Sequence, residues 1–594
     1  MRHVIIIGAC AGRFMKYKFY FISLCILNLS IMLLILLNHT NLAFWFQTDH
    51  TWAPNFVYDI VYQHHSIYDW QLANGTDNLL DTLPFFIFSI FTDNLIIWIY
   101  LNAILNLLLY YFIFICLAKV LFKDIKMMAL FAFSCFISLL LIASFNQINF
   151  TLDALLITGE HTDQILIGML CLMLVMKKIE NPINKWYLPW LFLITTAWVF
   201  SNEIFIAAII FPLVIGLIIL WFRDSEIVYI ELIGCLGLAA LIGHLIWAQI
   251  PLAFIRFAVH NDLGLLGSFK VMYYYFVSLY HLYPTYLICL FASIIVCLGA
   301  TWHALKYSSN QYKLILYVLL VTSLIALAGI GQLFINYHAT MLYLINNAAD
   351  KKSHLFALTR DMNVLFIIPL FIGIPTALAY GLTQFNIKQR NQILLGINLL
   401  LWSFAIVTLI HLLLSTKDYT APHKKIQNEQ SLMQCVQQNI DYYHLHTGVS
   451  NFWITRPIYI MTNAKISLIP LASWPKETYE HYLSTWAILN NQNIDYWIDS
   501  YRKFSHDPSY TDYYNEESYI KDNVKLFGKP DGEFSCTAKD GHGLHAYFYR
   551  KDQIMQAILP DILNQGKIQA HVHQHKIILG PSLETSAAYS YLRV

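Results

Sequence analysis

The sequence predicts an all-α polytopic membrane domain followed by a soluble α+β domain, and three observations lead to this fold class. Of the 594 residues, 58% are hydrophobic and only 12% are charged, whereas soluble domains contain about 45–50% and about 25%. Eleven apolar runs near the length that spans a bilayer occupy most of the chain up to residue 415. From residue 416 onward, charged residues, Asn, Tyr and His become frequent. The composition therefore excludes an ordinary soluble enzyme.

The apolar runs divide the first part of the chain into a short tail and a membrane domain. We expect a cytoplasmic tail at residues 1–18 and a transmembrane domain at 19–415. Because about 20 apolar residues span the hydrocarbon core, the sequence predicts about eleven transmembrane helices. They lie at residues 19–38, 94–118, 127–145, 164–178, 187–201, 204–222, 228–249, 282–304, 314–334, 363–383 and 393–415.

Basic residues between these helices predict the orientation of the chain. When alternate helix ends are counted as one side of the membrane, one side carries fifteen Lys and Arg residues and the other carries five. Positive loops stay in the cytoplasm, so the N-terminus is predicted to be cytoplasmic. With eleven spans, residues 416–594 then form an extracytoplasmic, periplasmic domain. We expect a multi-pass protein of the cytoplasmic (inner) membrane in the cell envelope.

The first outer connection, residues 39–92, is the predicted location of catalysis. It contains no Lys or Arg but many Asp and His residues, and segments 54–70 and 80–91 have the spacing of interfacial helices. Asp49 lies about ten residues beyond the first span, at the outer membrane surface, where a carboxylate can act as general base on an acceptor hydroxyl. The alternative is a solvated Asp or the N-cap of a helix that starts near Trp52.

Two further outer connections carry candidate binding residues. Glu160 and His161 directly precede a span and can contact a metal, a phosphate or a sugar. The alternative is ordinary loop polarity together with helix capping by Thr162 or Asp163. Arg360 lies in a positive outer connection, and a guanidinium group matches phosphate in a bidentate manner. Arg360 is therefore a candidate ligand of an anionic lipid headgroup, with a local ion pair or snorkelling as the alternative.

The soluble domain at 416–594 is predicted to mix helices and strands. Residues 432–446 have helical spacing. Four other segments have the alternation or the β-branched content of strands, namely residues 454–462, 464–471, 544–550 and 567–579. An α+β domain follows from this order of elements.

The cysteines and histidines of the soluble domain allow two further predictions. Cys435 and Cys536 are its only cysteines, so in an oxidising compartment we expect them to form a disulfide. The alternating histidines at 571–575 would share one face of a strand, but no second cluster accompanies them. Surface decoration is therefore favoured over a metal site, and His542 and His545 are interpreted in the same way.

These features together resemble the polytopic GT-C glycosyltransferases: a cytoplasmic tail, one span, a long acidic outer loop with an early Asp, many further spans and an external domain. The resemblance covers residues 19–415, chiefly as architecture. It implies transfer of a sugar from a polyprenyl-phosphate or polyprenyl-diphosphate carrier outside the cytoplasmic membrane. We expect a monosaccharide donor on polyprenyl phosphate and a glycan, lipid or protein acceptor, and displacement at the anomeric carbon with Asp49 as base would invert the configuration. The family's catalytic carboxylate corresponds to Asp49, and its carrier-phosphate arginine corresponds to Arg360 by place in the chain. His50 stands where many members have a second acidic residue.

The charge balance also bears on partners and cofactors. The sequence has 37 Lys and Arg residues and 36 Asp and Glu residues, so its net charge is +1. This balance lacks the excess of positive charge that is typical of nucleic-acid-binding proteins. The predicted partners are the polyprenyl-phosphate-linked sugar donor, the acceptor and membrane lipids. No cofactor follows from the residues, and the acidic outer loop leaves a divalent metal open. The alternative function is a non-enzymatic protein that binds or transports a lipid-linked sugar, which intramembrane charges would favour.

Overall fold

The computed structural model describes residues 48–64, 71–72, 79–121, 162–201, 205–249, 253–255, 421–471, 494–500, 527–538, 543–549, 553–554 and 568–569, with isolated positions between 277 and 299 and between 389 and 410. The predicted spans at 19–38, 127–145, 314–334 and 363–383 lie outside the described residues, as do most of those at 282–304 and 393–415.

The first outer connection contains helices and a short strand. Helix α1 covers Thr48–Val61, strand β1 covers Gln71–Leu72, a 3-10 turn covers Leu79–Thr82, and helix α2 covers Leu83–Phe88. The helix predicted at 80–91 is thus divided into a 3-10 turn and a short α-helix, with Pro84 in the first turn of α2.

Helix α1 begins earlier than the predicted segment 54–70. Pro54 lies in its interior and has no amide hydrogen for the i−4 carbonyl, a defect that costs about 3 kcal/mol. The helix nevertheless forms because Trp52, Phe56 and Val57 are almost fully buried. Burial of such side chains contributes about 1.5–3 kcal/mol each, which outweighs the missing hydrogen bond.

Five predicted apolar runs are helical in the structure. They form α3 at Leu95–Leu121, α4 at Thr162–Glu180, α5 at Tyr187–Ser201, α6 at Phe211–Asp224 and α7 at Ile227–Gln249. A π-helical turn at Ile206–Ile210 leads into α6, and strand β2 at Ala253–Ile255 follows α7. Helix α5 packs against both α4 and α7, and α3 packs against α4.

Two helices in the described part of the chain are long and apolar enough to cross a membrane: Leu95–Val120 with 26 residues and Ile227–Ile246 with 20. Buried helices of soluble proteins reach the same length and composition, so this is weak evidence alone. In α7, however, Leu238, Leu241 and Leu245 are 52%, 54% and 51% exposed. They form one helical stripe, and an exposed apolar stripe is typical of a surface that contacts lipid or another protein. The count of eleven helices stays a prediction.

The C-terminal part forms a mixed five-stranded sheet with helices. Helix α8 covers Ala421–Tyr443 and helix α9 covers Phe452–Met461. The strands are β3 at Thr447–Asn451, β4 at Ser467–Leu471, β5 at Ile494–Ser500, β6 at Gly532–Thr537 and β7 at Gly543–Phe548, in the order β4-β3-β5-β7-β6. Strand β3 is parallel to β4 and β5, whereas β7 is antiparallel to β5 and β6.

One predicted strand of this domain is wrong. Residues 454–462 lie almost entirely in helix α9 rather than in a strand. Thr455, Ile458, Tyr459 and Thr462 are all buried, and their spacing of i, i+3, i+4 and i+7 is that of one helix face. The β-branched content of the segment concealed this helical period. By contrast, the predictions at 432–446, 464–471 and 544–550 are confirmed by α8, β4 and β7.

The core of the domain lies between α8 and the sheet. Leu432, Val436 and Ile440 project from successive turns of α8, and Leu544 and Ala546 of β7 belong to the same buried cluster. The disulfide that the sequence predicts is present here: Cys435 of α8 is bonded to Cys536 of β6, with their Cα atoms 5.9 Å apart. It joins the helix to the edge strand of the sheet.

A second sheet connects three distant parts of the chain. Strand β8 at Ile568–Gln569 is antiparallel to β2, and β2 is parallel to β1. The first outer connection, the segment after α7 and the C-terminal domain therefore each contribute one strand to this sheet.

Candidate functional site

Three helices meet where α3 begins, and we call this place the three-helix junction. It consists of Tyr58 and Asp59 of α1, Tyr62 just after α1, Trp98 of α3 and Tyr459 of α9. The ring of Tyr58 lies 6.2 Å from that of Trp98 and 6.2 Å from that of Tyr459, between ring centroids, and the ring of Tyr62 lies 6.2 Å from that of Trp98. The junction therefore joins the loop helix, the second predicted span and the C-terminal domain.

A buried hydrogen bond fixes the C-terminal domain to α1. The Tyr459 hydroxyl donates to the Oδ1 atom of Asp59, and Asp59 is only 2% exposed. Burial raises the pKa of Tyr58, and the nearby Asp93, Tyr62 and Asp59 raise it further. Burial, and to a lesser extent Asp93, also raise the pKa of Tyr62. Both phenols thus remain neutral hydrogen-bonding groups at physiological pH.

The first turn of α3 is capped from two directions. The Oδ1 atom of Asn94 accepts hydrogen bonds from the amides of Ile96 at 3.0 Å and Ile97 at 3.2 Å. The amide of Leu95 donates instead to Oδ1 of Asn463, also at 3.0 Å. Asn463 follows α9 and has a φ of +51°, a left-handed conformation that Asn adopts more readily than most residues. A residue of the C-terminal domain therefore satisfies an amide that a helix start leaves open.

Two buried asparagine side chains of the same helices have polar atoms without hydrogen-bond partners. Both amide atoms of Asn55 in α1 lack a partner, as does Oδ1 of Asn102 in α3, and the two residues are 0% and 1% exposed. Sequence reasoning did not single out either residue. An Asn inside an apolar run was a visible signal at position 102, because polar side chains in predicted spans are uncommon.

The structure places only some of the predicted site residues. Asp49 and His50 lie in the first turn of α1, so the helix begins at Thr48 rather than near Trp52. Their side chains lie outside what the structure describes. Glu160, His161 and Arg360 also lie outside the described residues. The roles expected for these residues in catalysis and in substrate or carrier binding stay predictions.

Metal ligation finds no support in the described ranges. No group of three or more His, Cys, Asp or Glu side chains there is arranged to hold a metal ion. His545 uses both ring nitrogens in contacts with neighbouring strand residues: Nδ1 lies 2.6 Å from Ser535 Oγ, and Nε2 lies 3.3 Å from Glu533 Oε2. This agrees with surface decoration of a strand. His542 and the histidines at 571–575 lie outside the described residues.

Two further contacts join helix ends: one lies where α5 ends, and the other lies between the end of α4 and the start of α7. The amide of Leu80, in the first outer connection, donates to Oγ of Ser201 at the end of α5, at 3.0 Å. At the other ends, Nζ of Lys178 in α4 lies 3.1 Å from a carboxylate oxygen of Glu231 in α7. Lys178 is buried and also donates to the carbonyl of Pro182 at 2.6 Å.

Comparison with known proteins adds no family assignment. No protein-family model matches the chain, and no curated protein matches it.

Proposed function

We propose that the chain is an integral-membrane glycosyltransferase that moves a monosaccharide from a polyprenyl-phosphate carrier to an acceptor on the outer side of the cytoplasmic membrane. The observation that carries this proposal is the position of α1. This helix has Asp49 in its first turn, and its body is buried against α3 and α9. A carboxylate of the outer loop is thereby attached to a rigid element beside a predicted span, as a positioned catalytic group requires.

The contacts of the helix ends support the orientation that this proposal needs. Under the predicted topology, α1, the start of α3, the end of α5, β2 and the C-terminal domain all belong to the outer side. The three-helix junction, the Leu80–Ser201 hydrogen bond and the β1-β2-β8 sheet each join members of this group. Lys178 and Glu231, which form an ion pair, both belong to the predicted cytoplasmic side.

The proposed reaction is a displacement at the anomeric carbon of the donor sugar. The carboxylate of Asp49 accepts the proton of the acceptor hydroxyl, and the acceptor oxygen forms a bond to the anomeric carbon. The bond from that carbon to the phosphate oxygen breaks, and polyprenyl phosphate leaves with the electron pair. Attack opposite the leaving group inverts the configuration. Arg360 is assigned to the carrier phosphate, and His50, Glu160 and His161 are assigned to substrate or carrier binding.

Asp49→Asn tests this proposal. The variant keeps the size and polarity of the side chain but removes the base, so we expect transfer to fall by roughly 10²–10⁴-fold. The assay is transfer of labelled sugar from polyprenyl-phosphate donors in membranes that contain the protein, with membranes lacking it as the blank. Asp441→Asn, an exposed carboxylate of α8, is the matched control and should keep full transfer.

Two outcomes would contradict the proposal. Full transfer by a stably expressed Asp49→Asn variant would remove Asp49 from the mechanism. A parent protein that binds and moves the labelled lipid without any transfer would instead support the non-enzymatic alternative, a lipid-linked-sugar binding or transport protein.

A further inference from the structure

Asn55 and Asn102 carry buried polar atoms that have no hydrogen-bond partner in the described fold. Both amide atoms of Asn55 and the Oδ1 atom of Asn102 lack partners, although both residues are fully buried. Native proteins pair about 90% or more of their buried polar groups, and an unpaired group lowers stability. One explanation for such a group is a bound molecule that supplies the missing partners.

The helical register places both asparagines on the faces where α1 and α3 meet. Asn55, Tyr58 and Tyr62 follow each other at i, i+3 and i+7, which is one helical stripe. Asn102 lies one turn beyond Trp98 on α3. Because the rings of Tyr58 and Tyr62 both lie 6.2 Å from that of Trp98, these two stripes face each other.

The depth of the site suits a membrane-bound ligand. Asn102 lies about 10 Å along the helix axis from Leu95, the first residue of α3, because each residue of an α-helix rises by about 1.5 Å. Under the predicted topology this is roughly one third of the way into the hydrocarbon core, which is about 30 Å thick. Polar side chains at such depth in predicted spans commonly belong to functional sites.

The chemistry of the unpaired atoms selects the ligand class. An Asn amide offers two donors on nitrogen and an acceptor on oxygen, and it carries no charge. These groups match neutral hydroxyls, which both donate and accept, better than they match a phosphate anion, for which Arg is suited. The aromatic rings of Tyr58 and Trp98 supply apolar surface at the same interface.

We propose that Asn55 and Asn102 form a saccharide-binding site between α1 and α3, where their amides bind hydroxyls of the lipid-linked sugar. The identity of the ligand rests on the proposed function, whereas the site itself rests on the two buried amides. In this arrangement the sugar lies beside the helix that carries Asp49.

The experiment measures ligand-dependent stability of the full-length protein in nanodiscs. The probes are a panel of polyprenyl-phosphate hexoses and pentoses, bare polyprenyl phosphate, and the free monosaccharides. For the parent, at least one glycosylated carrier should raise the midpoint of thermal unfolding more than bare carrier does. The double variant Asn55→Leu/Asn102→Leu should lose this sugar-dependent increase, with affinity for the glycosylated carrier falling roughly 10- to 100-fold.

A purely structural role of the two asparagines predicts that replacing them lowers the unliganded midpoint. In the proposed site, both amide atoms of Asn55 and the Oδ1 atom of Asn102 have no hydrogen bond to lose, so replacement with Leu should leave the unliganded midpoint unchanged or higher. Asn94→Ala is the matched control, because Asn94 caps α3 through hydrogen bonds that the fold uses. It should lower the unliganded midpoint and keep the sugar-dependent increase. If the Leu variants fail to insert because of their volume, Asn55→Ala and Asn102→Ala remove the amides without adding atoms.

Several outcomes would overturn the inference. The first is a parent without any sugar-dependent increase. The second is a set of variants that keep the increase, because the amides then bind ordered water only. The third is an unliganded midpoint that falls in the Leu variants. An equal response to free monosaccharide would show a sugar site that does not require the carrier.

Transfer assays separate this inference from the proposed function. A parent that transfers sugar, with an unchanged KM in the double variant, disproves the site alone. A parent without transfer whose sugar binding needs both amides disproves the enzyme alone.

Discussion

The buried hydrogen bond from Tyr459 to Asp59 joins two helices whose residues are 400 positions apart in the sequence. A hydrogen bond to an ionised group contributes about 1.5–3 kcal/mol. A buried carboxylate that loses a partner destabilises a fold more than the bond alone suggests, because the charge stays buried. Tyr459 therefore acts as an attachment point of the C-terminal domain on the loop helix.

Tyr459→Phe should weaken this attachment. The ring and its contact with Tyr58 would remain, but Asp59 would lose a donor, so the docked state should lose about 1.5–3 kcal/mol. Hydrogen exchange of the amides in α1 and α9 measures the change as faster exchange in both helices. Tyr442→Phe, at a position that is 76% exposed, should leave exchange unchanged. Equal protection in Tyr459→Phe and the parent would contradict the assigned role.

Individual residues differ in how far the sequence alone identifies them. The Cys435–Cys536 pair could be predicted because the domain offers each cysteine a single partner. The Asp59–Tyr459 contact could not, since no local pattern relates positions so far apart. The unpaired amides were equally hidden, because the absence of a hydrogen bond is a property of packing and not of composition.

At the scale of elements, helix α9 shows where pattern and topology disagree. A short apolar segment with β-branched residues is compatible with either a strand or a buried helix. The decisive constraint is that β3 and β4 are parallel neighbours, and parallel neighbours need a crossover connection, usually a helix. The chain between Asn451 and Ser467 is that connection, so the segment becomes α9. Strand pairing is a tertiary property, and a single sequence does not reveal it.

The disulfide between α8 and β6 is the element-scale feature with the largest expected effect on stability. Cys435 and Cys536 are separated by 101 residues. In the chain-entropy model, closing a loop of this length stabilises a domain by up to about 4–5 kcal/mol. The double variant Cys435→Ser/Cys536→Ser should lower the stability of the C-terminal domain by up to this amount, measured by denaturant unfolding of the full-length protein.

Cys235→Ala, which removes a free thiol of α7, is the control for this experiment and should unfold like the parent. Non-reducing mass spectrometry of the exported protein provides a direct check on the bond. Two free thiols at positions 435 and 536 would contradict the pairing, and the membrane prediction would be unaffected by that result.

At the scale of the whole molecule, composition predicted the helical character of α3 to α7 but not their arrangement. Apolar runs identify helices because lipid or core must cover them, whereas the choice of neighbours depends on side-chain shape. Counting basic residues predicts which helix ends lie on the same side of the membrane, and this orientation stays a prediction. The packing of the C-terminal domain on α1 could not be predicted from the sequence, because it depends on contacts between distant segments.

The predicted topology is testable with reporters that are active on one side of the membrane only. Fusions after Thr48 and after Thr420 should both give outer-side signals, because both positions precede elements that meet at the three-helix junction. A fusion after Glu180, at the end of α4, should give the cytoplasmic signal. Opposite signals from the first two fusions would exclude an odd number of spans between the cytoplasmic N-terminus and the C-terminal domain.

The 400 residues between Asp59 and Tyr459 also set an order of assembly. Chains grow at about 5–20 residues per second, so α1 is synthesised roughly 20–80 s before the helix that covers it. During that interval Asp59 cannot have its Tyr459 partner, and Leu95 cannot be capped by Asn463. The candidate site is therefore completed only after the C-terminal domain has been made and has folded. A chain that ends before α9 cannot form the three-helix junction, so synthesis of the C-terminal domain sets the time at which this junction is completed.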